Sequence, residues 1–116
     1  MGGDVDMKIS IKQLKEIMGT KVYLEHEQYR LNMLKNDPEE IYNLAYQIDC
    51  YINIYEHLLI ISETATEEEL AMIINCPNFI DYAYKEWIKT DYDDLYEFVK
   101  VLVQEEAMKE YQKEAA

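Results

Sequence analysis

After Gly3 the chain has a single glycine, Gly19, and over its whole length only two prolines, Pro38 and Pro77. Turns at positive φ, and the corners of a sandwich or barrel of short strands, are built mostly from these residue types. A chain so poor in them must run in long elements. Its 116 residues are enough for one domain with one hydrophobic core. Eleven tyrosines, one tryptophan and an apolar fraction of 49% argue that it folds, since disordered chains are poor in aromatics.

The elements read as helices. Ser10 is a candidate N-cap for a short helix to Met18, with Ile11, Leu14, Ile17 and Met18 on one face and Gly19 as its stop. Thr20 then caps a helix from about Lys21 to Leu34, marked by Val22, Tyr29, Met33 and Leu34. Asp37-Pro38-Glu39-Glu40 is a helix start: a capping Asp, proline where its missing N–H costs nothing, and acids facing the positive helix end. This long central helix is expected to reach about Ser62. Ile41, Leu44, Ala45, Ile48, Ile52, Tyr55 and Leu59 form its buried face, with a second stripe of Tyr42, Tyr46, Cys50, Asn53 and His57.

Thr66-Glu67-Glu68-Glu69 fits a capping box before Leu70, Ile73 and Ile74. Asn78 caps the next helix, whose inner face is Ile80, Ala83, Tyr84, Trp87 and Ile88. Thr90 or Asp91 is expected to cap the last, buried through Leu95, Phe98, Val99, Leu102 and Val103. The expected architecture is all-α: a compact single-domain bundle of about five helices around the long central one. A flexible leader is read over residues 1–8, the bundle over 9–104, and a charged helix end or tail over 105–116.

Chemistry-bearing motifs are absent from the sequence. His26 and His57 stand in neither an HExxH nor a Glu-x-x-His spacing, and Glu25-His26-Glu27 splays its side chains about 100° apart on a helix. Cys50 and Cys76 make no ligand spacing and read as small buried thiols. No GxxxxGK[ST], GxGxxG or GxSxG occurs. Carboxylate pairs such as Asp93 and Glu97, on an exposed helix terminus, have nothing to raise one pKa as acid catalysis requires. The expectation is a non-enzymatic protein with no catalytic residue, metal or cofactor. No apolar run approaches the roughly 18 residues of a membrane span, and no signal or myristoylation pattern is present, so a cytoplasmic location is expected.

Charge is unevenly placed. Residues 1–36 carry five acids and six bases, whereas residues 37–116 carry 19 acids and five bases, a net of −14. Such a segment repels phosphate backbones and speeds encounter with basic surfaces. The basic stretch KISIKQLKEIMGTK resembles the first half of a helix-turn-helix, but the following helix offers Glu25, His26 and Glu27 where base-reading donors are needed. Direct nucleic-acid binding is not expected.

At Asp37-Pro38-Glu39-Glu40-Ile41 followed by Ala45-Tyr46, and again at Pro77-Asn78 with Tyr84-Lys85-Glu86-Trp87, the chain resembles a family of short acidic helical proteins of unknown function from bacterial genomes, phages and mobile elements. The likeness spans roughly residues 21 to 97 and carries over no functional residue. A mobile-element setting implies, by analogy, an inhibitor of a host nucleic-acid-binding defence protein, an anti-CRISPR or nuclease inhibitor that occludes a basic surface. Acids one helical turn apart stand about 5–6 Å from each other, comparable to neighbouring phosphates. The expected partner-binding residues are Glu67, Glu68, Asp91, Asp93, Asp94, Glu97, Glu105 and Glu106, with Tyr92 and Tyr96 as amphipathic anchors. The alternative is a structural or regulatory subunit, working through an apolar groove or by self-association.

Overall fold

A computed structural model describes residues 9–115, with side chains through Glu110; the leader read over residues 1–8 lies outside the described residues. Six helices and no strand occur among the described residues: α1 (Ile11–Met33), α2 (Pro38–Asn43), α3 (Ala45–Ser62), α4 (Glu67–Asn75), α5 (Phe79–Trp87) and α6 (Leu95–Ala115).

Four of the helix starts follow from side chains identified in the sequence. Ser10 and Gln13 form a reciprocal capping box, with the Ser10 hydroxyl accepting from the Gln13 N–H at 3.1 Å and the Gln13 amide accepting from the Ser10 N–H at 2.9 Å. Asp37 accepts from the Glu40 N–H at 2.9 Å, Thr66 and Glu69 form a second box, and Asn78 accepts from the Asp81 N–H at 3.4 Å.

Three expectations about helix boundaries are corrected. Gly19 does not end a helix: α1 runs through it without a positive φ, because a glycine permits the left-handed turn of a C-cap without requiring it. The first helix and the second are therefore one element, and the turn of a helix-turn-helix is missing. The central helix, in turn, is interrupted at Leu44, whose φ of −99° and ψ of 12° leave helical geometry for one residue. Ile48 still donates to the Leu44 carbonyl at 2.9 Å, so α2 and α3 follow one another closely. Finally, neither Thr90 nor Asp91 caps α6. The cap is Asp94, which accepts from the Glu97 N–H at 3.1 Å while its carbonyl takes the Phe98 N–H at 3.0 Å.

α3 is the central helix, packed against α1, α5 and α6, while α4 closes the bundle against α1 and α6. Its inward face is Cys50, Tyr51, Ile54, Leu58 and Ile61, which lies between the two stripes read from the sequence. Ile52 is 38% exposed, and Tyr55 and Leu59 sit at the edge of the core. A helix that is apolar nearly all round cannot be phased by periodicity alone. The faces of α4 and α6 fall as expected, on Leu70 and Ile73 and on Phe98, Val99, Leu102 and Val103. α6 continues past Gln104 with Ala107 buried in the core. Met18, Val22, Phe79, Ile80 and Ala83 complete the core; each large apolar side chain there contributes roughly 1.5–3 kcal/mol.

Candidate interaction surfaces

The acidic and aromatic residues singled out in the sequence fall on two separate faces. The first is the N-terminal end of α6. Asp94 is occupied as the helix cap, whereas the side chains of Asp91, Asp93 and Glu97 are exposed and make no hydrogen bond or ion pair among the described residues. Tyr92 is 49% exposed and sets its ring edge-on to Phe98 at 5.5 Å. Tyr96 lies half-buried with its ring edge-on to His57 at 5.3 Å, part of the packing between α6 and α3.

Beside these acids is an aromatic row that brings together Tyr46, expected on the second stripe of the central helix, Trp87, expected on the inner face of the helix after Asn78, and Tyr92, expected as an anchor. Trp87 packs on Phe98 at 5.6 Å and donates its indole N–H to the Tyr46 hydroxyl at 2.8 Å. Tyr46 is 61% exposed, and Tyr42, in α2 before the break at Leu44, is 80% exposed. Tyr46, Trp87 and Tyr92 thus form a row of amphipathic rings linked through Phe98 to the acidic end of α6, two of them joined by a hydrogen bond. The i, i+4 spacing of Tyr42 and Tyr46 signals a shared face only on an unbroken helix, and it does not say whether that face is covered.

The second face is a groove of about 600 Å³ where α4 and the C-terminal half of α6 meet α5 and Leu14. Glu67 and Glu68, in the first turn of α4, stand across it from Glu106 and Glu110. Ala71, Met72, Phe79 and Ala107 supply its apolar lining. The Tyr82 hydroxyl donates to the Glu106 carboxylate at 3.0 Å, and Lys109 reaches the same oxygen at 3.1 Å. Burial, reinforced by Glu106, pushes the Tyr82 phenol up to about 12. Glu105 is exposed and does not line the groove, and Glu110 joins it although the sequence reading did not single it out.

A larger cleft, of about 980 Å³, opens between α1, α3 and α5, and its polar groups are largely satisfied from within. The Glu25 carboxylate takes the Lys21 ammonium and the Ile80 N–H, and Asp81 accepts from the Tyr51 hydroxyl and pairs with Lys85. Burial works to raise the Asp81 carboxyl, but Tyr51 and Lys85 outweigh it and hold it below its ordinary value. Tyr29 stacks on Tyr51 at 3.8 Å with its hydroxyl buried, and desolvation raises that phenol to about 12. His26 stacks on Tyr55 at 5.1 Å and Glu27 pairs with Arg30, so Glu25, His26 and Glu27 each have a structural partner. Cys50 is buried and Cys76 half-buried, both free. Among the described residues no three His, Cys, Asp or Glu side chains gather as metal ligands, and no helix is long and apolar enough to cross a membrane.

Scans of protein-family models, curated proteins and solved structures found no match to this chain. The functional reading therefore rests on the surfaces themselves.

Proposed function

We propose that this is a non-enzymatic interaction protein that binds a basic protein surface in the cytoplasm, and that the end of α6 makes first contact. One observation carries the reading: Asp91, Asp93 and Glu97 have no partner among the described residues, and they stand beside the exposed Tyr92. Unpaired carboxylates on a strongly acidic segment steer encounter with cations. Tyrosine and tryptophan give large contact area at low entropic cost and are the residues most often found as interface anchors. In its concrete form, the protein is a phage or mobile-element inhibitor that occludes the nucleic-acid channel of a host nuclease or CRISPR effector, its carboxylates standing where phosphates would.

Affinity capture from bacterial lysate at low and at high salt, read by mass spectrometry, tests this. The expected result is a basic nucleic-acid-binding protein retained at low salt and released at high salt; recovery of only the bait at both salts would overturn it.

A second reading is favoured by Tyr42 and Tyr46, which are 80% and 61% exposed, an apolar character that charge does not require. Under it the protein is a regulatory or structural subunit that pairs through these rings, with another chain or with itself. Replacing Tyr42 and Tyr46 by Ser would then abolish binding, whereas charge reversal at Asp91 and Asp93 would leave it unchanged.

A further inference from the structure

The groove between α4 and α6 combines two surfaces that call for different things from an occupant. Its floor is carbon, from the half-buried Leu14 and Ala71 and the edge of Met72, over the fully buried Phe79. Its rim is carboxylate, with Glu67 and Glu68 on one wall and Glu106 and Glu110 on the other, and among the described residues no lysine or arginine lines it. An apolar ligand would cover the floor but leave carboxylates desolvated without a counter-charge, which is costly. A flexible polycation would pair with the rim and leave the floor wet. A helix with an apolar stripe flanked by Lys or Arg satisfies both at once, the helix-in-groove mode of peptide recognition.

The rim has the matching spacing. Glu106 and Glu110 are one turn apart on α6, so bases one turn apart on a docked helix can meet them in step. Glu106 is also fixed in advance, because the Tyr82 hydroxyl from α5 holds its carboxylate at the groove's edge. Lys109 competes for that carboxylate, but its side chain is 71% exposed and the pair is an i, i+3 contact of the kind that contributes little.

The geometry points to this groove as the docking site for a basic amphipathic helix of the partner protein. The inference rests on the basic-partner reading above, and it adds a second face with its own chemistry.

A synthetic helix with a leucine stripe flanked by lysines is the probe, titrated against the full chain by fluorescence anisotropy and by amide NMR shifts. Binding is expected with the largest shifts at Ala71, Met72 and Tyr82. Both E68K and E110K lie at exposed positions, and together they weaken binding by about tenfold or more. K109A, which frees Glu106, tightens it. The D91K/D93K variant, which bears on the α6 end alone, keeps the affinity within about twofold. The assignment is overturned if an oligolysine of equal charge binds as well as the leucine–lysine helix. Equal binding by a leucine–glutamate helix, loss of affinity in D91K/D93K, shifts that map elsewhere, or no binding at all would overturn it as well. Circular dichroism of each variant separates lost binding from lost fold.

Discussion

The Tyr82 hydroxyl on α5 donates to the Glu106 carboxylate on α6 at 3.0 Å, tying the two helices across the edge of the acidic groove. Removing that hydroxyl in Tyr82→Phe should cost about 1 kcal/mol in urea unfolding, in the range of an intramolecular hydrogen bond. The phenol is also raised, as are Tyr29 and Tyr51, chiefly by burial. A raised folded-state pKa means that the folded chain keeps protons the unfolded chain has released. These three groups therefore stabilise the fold fully below about pH 10. The contribution is lost as pH rises through 10 towards the value of about 12 at Tyr29 and Tyr82. Thermal unfolding followed at stepped alkaline pH should show Tm falling from about pH 10; a flat Tm there would contradict the burial of these phenols.

The choice of Asp94 over Asp91 as the α6 cap separates two neighbouring carboxylates. Asp94→Ala should destabilise by about 1 kcal/mol, the usual cost of a lost N-cap, and Asp91→Ala should stay within about 0.5 kcal/mol. Equal losses would mean that the helix begins earlier.

Phase along α3 is tested by a pair two residues apart. Ile54 is fully buried and Ile52 is 38% exposed. Truncating Ile54 to Ala should cost about 2–5 kcal/mol and truncating Ile52 under about 1, measured by denaturant midpoints at constant m. A reversed order would restore the face expected from the sequence.

Gly19 lies inside α1 with a helical backbone, and a Cβ there would meet only Leu59 Cδ2, at 4.0 Å, an ordinary contact. Gly19→Ala should stabilise the protein by about 0.5–1 kcal/mol. Destabilisation would mean a break in α1 at this point.

Local chemistry was legible at four helix starts, and at α6 it failed because Thr90, Asp91, Asp93 and Asp94 all offer a capping oxygen within five residues. Ser10, Asp37, Thr66 and Asn78 cap helices because each can reach the N–H three residues on, a relation fixed by sequence spacing. Gly19 misled because its conformational freedom permits a stop without requiring one. The buried face of α3 was hidden because apolar residues surround the helix, so the choice among faces is made by α1, α5 and α6. The acidic site was legible as composition but not as geometry. Glu67, Glu68 and Glu106 are about forty positions apart at most, and only the packing of α4 on α6 makes them opposite walls of one groove. Tyr46 and Trp87 meet by the same kind of long-range contact.

The most direct test of the central claim concerns the surplus acids at the end of α6. Asp91, Asp93 and Glu97 changed to Lys, with the capping Asp94 kept, leave the helix start intact while reversing the charge offered to a partner. The association rate with the captured basic partner, measured across ionic strength, should fall by about tenfold or more at low salt, and the two curves should converge at high salt. An unchanged rate with an unchanged salt slope would contradict the account.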